Sequence, residues 1–278
     1  MTIAADIARA TPGYVAGIGF LRRPARGGAG LPLVLLHGIG SNAKSYTGLM
    51  AALPPALDVI AWNAPGYATS QPLTVAAPTP RDYAQALAKL LDGLGLTRIV
   101  LAGHSLGCLF AASFATLYPS RVASLALLSP ALGYKIAPGE TLPPKVQARI
   151  DEIETLGPEA FAAQRAARLV FEPERKPQVL ASVREAMAAV NPPGYAQAVR
   201  ALGAGDLLAD AAQITAPTLV AVGAEDVITP PANARATYDA LPNGAGYHEI
   251  AGTGHAMPQE NPAAVAALLA ELIEAGHG

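Results

Sequence analysis

The sequence predicts an α/β fold, a mostly parallel, doubly wound sheet with an inserted helical cap, and three observations carry that prediction. Short, wholly apolar runs alternate with segments of helical apolar spacing in the first part of the chain. The strand signals then stop between residues 132 and 213, where only helical stretches occur, and resume afterwards. A Gly-His-Ser-Leu-Gly turn at residues 103–107 joins an apolar run directly to an apolar helix.

Taken in order, residues 14–20 predict an antiparallel edge strand, and Gly27-Gly28-Ala29-Gly30 predicts a loop. Residues 33–36 are all apolar and end in His37-Gly38-Ile39-Gly40, the pattern of a buried parallel strand feeding a glycine-rich loop. Ser41 or Asn42 could then cap a helix. Runs at 57–61, 99–102, 125–128 and 219–222 predict further strands, and 83–91 and 109–117 predict helices between them. Such alternation implies right-handed crossovers. A short strand at 247–250 and an amphipathic helix at 263–274, after Pro262, close the sheet.

Within the insertion, helices are predicted at 146–156, 158–170, 178–190 and 195–208, broken by Pro143-Pro144, Gly157-Pro158, Pro173 and Pro192-Pro193. Residues 1–131 and 214–278 therefore form the core, and 132–213 a helical cap. Ligands of such sheets bind at the carboxyl ends of the strands, where this insertion sits.

Of the 278 residues, 51% are apolar and 14% charged, enough to bury a large core. A net charge of −2 with no Lys/Arg cluster removes the electrostatic footprint of a nucleic-acid binder. Cys108 is the only cysteine, so neither a disulfide framework nor a zinc-type ligand set is indicated, and no metal or cofactor is expected. Pro, Gly or a charge interrupts every apolar stretch short of a membrane span. The first ten residues lack the basic start and apolar run of a secretory signal, so a cytoplasmic location is expected.

The chemistry starts at Ser105. Between Gly103 and Gly107, on a turn this tight, its hydroxyl is presented above the sheet at a helix amino end. A serine hydroxyl needs a base, and the base needs a carboxylate to fix its tautomer. Asp226, in the loop Ala224-Glu225-Asp226-Val227-Ile228-Thr229-Pro230 after the strand at 218–223, is the chosen acid, with Glu225 its neighbour and competitor. His255, in Ala251-Gly252-Thr253-Gly254-His255-Ala256-Met257-Pro258, is the base. His104 is expected to point away from the turn, His248 lies in a strand and His277 in the tail. The backbone N–H groups of Leu106 and of Ile39 are the expected oxyanion donors. Cys108 is expected to pack beneath the turn. Trp62, after the strand at 57–61, either lines the substrate site or packs, and Tyr134 is a second candidate contact.

Together HGIGSN, GHSLG, GAEDVITP and GTGHAMP resemble the α/β-hydrolase superfamily over nearly the whole chain. The stretch from Asn191-Pro192-Pro193-Gly194-Tyr195 through Asp206-Leu207 to Leu219-Val220 resembles the 3-oxoadipate enol-lactonase and carboxylesterase-like branch. That resemblance implies an α/β-hydrolase fold and hydrolysis of a small ester or enol-lactone bearing carboxylates, with Arg165, Arg168 or Arg200 of the cap as partners. The HGIGSNAKSY loop departs from that branch. Haloalkane dehalogenases and epoxide hydrolases resemble the chain but carry Asp where Ser105 stands, so attack here makes an acyl-enzyme. Meta-cleavage carbon–carbon hydrolases and cofactor-free perhydrolases share the triad. A non-catalytic ligand receptor on the same fold is the alternative of another class, and an intact triad argues against it. The expectation is an enzyme with a small-molecule substrate, acting as monomer or homodimer.

Overall fold

Alternation along a strand sends Leu33 and Leu35 to one face of the sheet and Val34 and Leu36 to the other, and all four are fully buried. An unbroken apolar run is needed there because helices cover both faces. The computed structural model describes residues 10–27, 30–137 and 139–275. The reading of the first nine residues, Gly28-Ala29 of the predicted loop, and His277 lie outside the described residues.

One sheet of eight strands is built from β1 (Thr11–Val15), β2 (Ile18–Arg23), β3 (Leu33–Leu36), β4 (Val59–Trp62), β5 (Ile99–His104), β6 (Val122–Leu128), β7 (Thr218–Gly223) and β8 (Gly244–Ile250). Its order is β1-β2-β4-β3-β5-β6-β7-β8. β1 and β2 run antiparallel to their neighbours and the rest are parallel. The single edge strand expected at 14–20 is instead a hairpin, because Ala16 (φ 53°) and Gly17 (φ 83°) turn the chain between Val15 and Ile18. Positive φ at both central residues is the two-residue turn whose twist matches the strands. Ala-Gly is a weaker signal for it than Asn-Gly.

Helices α1 (Thr47–Ala52), α2 (Pro80–Gly93) and α3 (Leu106–Leu117) flank the sheet on its two faces. Between β6 and β7 lie α4 (Pro144–Arg165), α5 (Pro177–Ala188), α6 (Pro192–Ala204) and α7 (Leu207–Ala211). The two helices expected at 146–156 and 158–170 form α4, broken at Gly157 (φ 75°, ψ 160°), with a 3-10 turn at Ala166–Leu169 following. Pro192 and Pro193 start α6 rather than interrupt a helix, since the first helical turn needs no backbone N–H. The helix expected at 195–208 ends at Ala204, and Asp206 caps α7 by accepting from the Ala209 N–H. After β7 come α8 (Pro231–Ala240), α9 (Met257–Glu260) and α10 (Pro262–Ala275).

Val146, Ile150, Phe161, Tyr195 and Val199 of the inserted helices belong to the same apolar cluster as Val34, Leu36, Leu109 and Phe110. The insertion is also pinned by polar contacts. Gln197 on α6 donates to Leu73 O at 2.8 Å and accepts from the Leu73 N–H at 3.2 Å. Gly194 lies directly on the backbone of Gly66, where any Cβ would overlap the Gly66 carbonyl. No helix among the described residues is long and apolar enough to cross a membrane.

Candidate active site

β5 hands the chain to α3 through Ser105, which adopts φ 55°, ψ −117°, a backbone conformation few non-glycine residues hold. Both flanking glycines are sterically required. A Cβ on Gly103 would strike the Gly107 backbone, and one on Gly107 would strike the Leu36 carbonyl of β3. Ser105 is 6% exposed, and its Oγ lies 3.1 Å from His255 Nε2.

The other ring nitrogen, His255 Nδ1, lies 2.8 Å from Asp226 Oδ2. An ionised carboxylate only accepts, so Nδ1 carries the proton and Nε2 is left to accept from the serine hydroxyl. Asp226 follows β7 and its side chain is completely buried. Burial alone would raise its pKa; the His255 hydrogen bond and charge, with the Thr229 and Ile228 N–H groups on Oδ1, outweigh it and hold the carboxyl at about 2. Thr229 Oγ1 stands 3.0 Å from Asp226 Oδ2 and 2.9 Å from Ser129 O. The competitor Glu225 serves the same histidine differently, accepting the Thr253 N–H at 2.8 Å two residues upstream of it.

The His37-Gly38-Ile39 segment faces Ser105 from β3. His37 Nε2 accepts from the Ala64 N–H at 3.0 Å, so its Nδ1 bears the proton and donates to Gly38 O at 2.8 Å. Burial lowers the His37 pKa to about 4, keeping the ring neutral and this tautomer in place. A trans peptide points its N–H opposite to its C=O, so anchoring Gly38 O turns the Ile39 N–H away from His37. Leu106 is the first residue of α3, and its N–H has no acceptor within the helix. Gly38, Ile39, Ser105 and Leu106 line one cavity of about 620 Å³, a size suited to a small molecule.

Of the other residues singled out from sequence, Tyr134 and Arg168 line this cavity. Arg165 does too, but it is ion-paired with Glu152 and lies over the Phe161 ring. Arg200 faces a separate, small cavity beside Glu140. Trp62 lines neither. It is the last residue of β4, where alternation turns its ring into the core, 0% exposed and edge-on to Phe110 at 6.1 Å, so packing is its role and not substrate contact. Cys108 is fully buried beneath the turn, its Sγ 3.1 Å from Gly103 O.

His104 does not point away from the site. Its Nε2 donates to His255 O at 2.8 Å, and burial, with the charge His255 can carry, lowers its pKa to about 3. Lys145 and Arg149, unnoticed in the sequence, also line the cavity, giving it four cationic side chains and, among the described residues, no Asp or Glu. Their position depends on how α4 packs, so no local pattern announces them. Thr229 did carry a signal, a hydroxyl three residues after an acid in a turn. Among the described residues no group of three or more His, Cys, Asp or Glu could hold a metal ion.

The sequence model of a family described as the alpha/beta hydrolase fold matches residues 32–262. The chain is 28% identical, over 72% of its length and 74% of the relative's, to the (E)-2-((N-methylformamido)methylene)succinate hydrolase of Acinetobacter baylyi. Other curated relatives are covered over only 38% and 37% of their length. Among solved structures, a thermophilic esterase of Thermogutta terrifontis with malate bound superposes with a TM-score of 0.83 at 26% identity, covering 97% of this chain and 100% of that one. The enol-lactonase of Burkholderia xenovorans LB400 also gives 0.83, at 24% identity over 95% of this chain and 100% of that one, a likeness that shows the fold alone.

Proposed function

The chain belongs to the α/β-hydrolase family, and from that premise we propose that it is a serine hydrolase cleaving a small carboxylic ester or lactone through an acyl-enzyme. The observation that carries this reading is the hydrogen-bonded series Asp226–His255–Ser105 opening on the cavity. His255 Nε2 takes the Ser105 proton as Oγ attacks the carbonyl carbon. The N–H groups of Ile39 and Leu106 receive the charge that develops on the carbonyl oxygen. His255 then protonates the leaving oxygen, and in the second half it deprotonates a water that releases the acid. Asp226, ionised well below neutral pH, stabilises the imidazolium formed in both halves.

Residues 132–213 act as a cap over this chemistry and select the substrate. Four cations line the cavity wall and, among the described residues, only Arg165 is neutralised, by Glu152 outside the lining, which favours a substrate that carries a free carboxylate, with Arg168 and Lys145 as its partners. The named substrate of the Acinetobacter relative is a substituted succinate, and the Thermogutta esterase holds malate; both are dicarboxylates. Tyr134 and Val227, both exposed, form an apolar rim to the same cavity. A screen of short-chain esters, lactones and vinylogous diketones, with Ser105→Ala as control, tests the reading. Ester or lactone turnover that Ser105→Ala abolishes supports it. Full turnover by Ser105→Ala, or turnover confined to diketones, contradicts it.

A further inference from the structure

His255 sits on a loop whose backbone is held from two sides. From the sheet side, Glu225 exchanges hydrogen bonds with Thr253, accepting its N–H at 2.8 Å and donating to its carbonyl at 3.1 Å. His104 holds the His255 carbonyl at 2.8 Å. From the inserted segment, Leu169 O accepts the Ala256 N–H at 2.8 Å, and Lys176 Nζ donates to Gly252 O at 2.7 Å.

One side chain joins the two. Glu260, at the end of α9, has a side chain with no exposure at all. Its Oε1 accepts the Gly254 N–H at 2.9 Å, and its Oε2 accepts the Phe171 N–H at 3.0 Å and the Lys176 ammonium at 2.9 Å. A buried carboxylate is tolerated only where donors surround it. Here the donors come from the residue just before His255 and from two residues of the inserted segment. Gly254 lies so close to the Phe171 N–H that a Cβ there would overlap it, so loop and segment are in direct contact around this carboxylate. Glu260 does not line the cavity and touches no part of a substrate held there.

The geometry points to Glu260 as a positioning residue that locks the His255 loop to segment 169–176, so that docking of the cap and alignment of the base on Ser105 are one event. This rests on the proposal that His255 is the general base. The 3.1 Å separation of Nε2 and Oγ is the quantity at stake. Misplacement of a reacting group by about 1 Å can cost about a hundredfold in rate. Glutamine cannot substitute, because it has one acceptor oxygen where two are used, and its amide would set a donor against an N–H.

The test uses Glu260→Gln and Lys176→Met in the full chain with 4-nitrophenyl acetate as substrate. Both variants are expected to lower kcat about tenfold or more while KM changes by less than about threefold. Amide exchange across residues 251–256 is expected to quicken in both, with the far-ultraviolet circular dichroism of the wild type retained. Lys176, whose side chain is 25% exposed, provides the variant to read if Glu260→Gln does not fold. A folded variant with wild-type kcat and only a lower melting temperature overturns the inference, as does unchanged exchange at 251–256. Wild-type protein that turns over no ester would instead defeat the proposed hydrolase reading, so the two failures are distinct.

Discussion

On the sheet side of the cavity the polar groups around Ser105 are buried and paired: Asp226 with four donors, His255 with Asp226 and Ser105, His37 with Ala64 and Gly38. On the inserted side Lys145 and Arg168 stand exposed, with no hydrogen bond or ion pair among the described residues. A paired, dry group is held in one geometry before any substrate arrives, which is what a reaction with developing charge requires. An exposed, unpaired cation pays little desolvation and keeps its charge for a ligand. Under the proposed function, chemistry falls to the sheet and selection to the helices, with Glu260 and Lys176 at the seam.

The largest effect expected on the sheet side is that of Ser105→Ala or His255→Ala, a loss in kcat of about 10⁴-fold or more. Steady-state hydrolysis of 4-nitrophenyl esters measures it, and a loss below about tenfold would break the assignment. His37→Phe, which removes the donor that fixes the Gly38 peptide, is expected to cost about 10²- to 10³-fold in kcat, the worth of one oxyanion donor. Unchanged kcat would show that Ile39 needs no such anchor.

On the helical side the effects should be smaller and fall on selection. Arg168→Met is expected to reduce the preference in kcat/KM for a hemiester of glutaric acid over its neutral amide analogue by about tenfold, the scale of one charge-assisted hydrogen bond. An unaltered ratio would remove Arg168 from substrate recognition. Gly194→Ala forces a methyl into the Gly66 backbone and is expected to destabilise the fold by about 1–3 kcal/mol, read from urea unfolding.

Acid should separate the two sides through stability. The folded protein keeps His37 and His104 neutral down to about pH 4 and about pH 3, whereas in the unfolded chain they take up protons near the ordinary histidine value of 6.5. Their contribution is therefore complete above pH 6.5 and is lost as pH falls toward those lower values. Asp226, with a folded pKa of about 2 against 3.8, adds a further loss only below pH 3.8. Urea midpoints are expected to fall already between pH 6.5 and 5, and His37→Phe should flatten part of that decline.

Much of the sheet side could be read from local sequence, because each of its parts is a strand end followed by a short loop. The apolar run before Gly103, the acids after β7 and the glycines before His255 all sit where a single strand delivers them. The edge hairpin escaped because Ala16-Gly17 is an uncommon pair for its turn, and the sequence left Trp62 open between lining and packing because β4 runs one residue further than its apolar run suggests. The helical side was legible as helices but not as a surface. Which of Lys145, Arg149, Arg165, Arg168 and Arg200 faces Ser105 depends on the break at Gly157 and on Glu152 pairing with Arg165, both products of packing. Glu260 was hidden for the same reason, its three donors lying at residues 171, 176 and 254.

The most direct test is covalent. Wild-type protein treated with a fluorophosphonate and mapped by peptide mass spectrometry should carry a single adduct on Ser105, with labelling slowed by His255→Ala and abolished by Ser105→Ala. An adduct on another residue, or none under conditions that label a known serine esterase, would contradict the account.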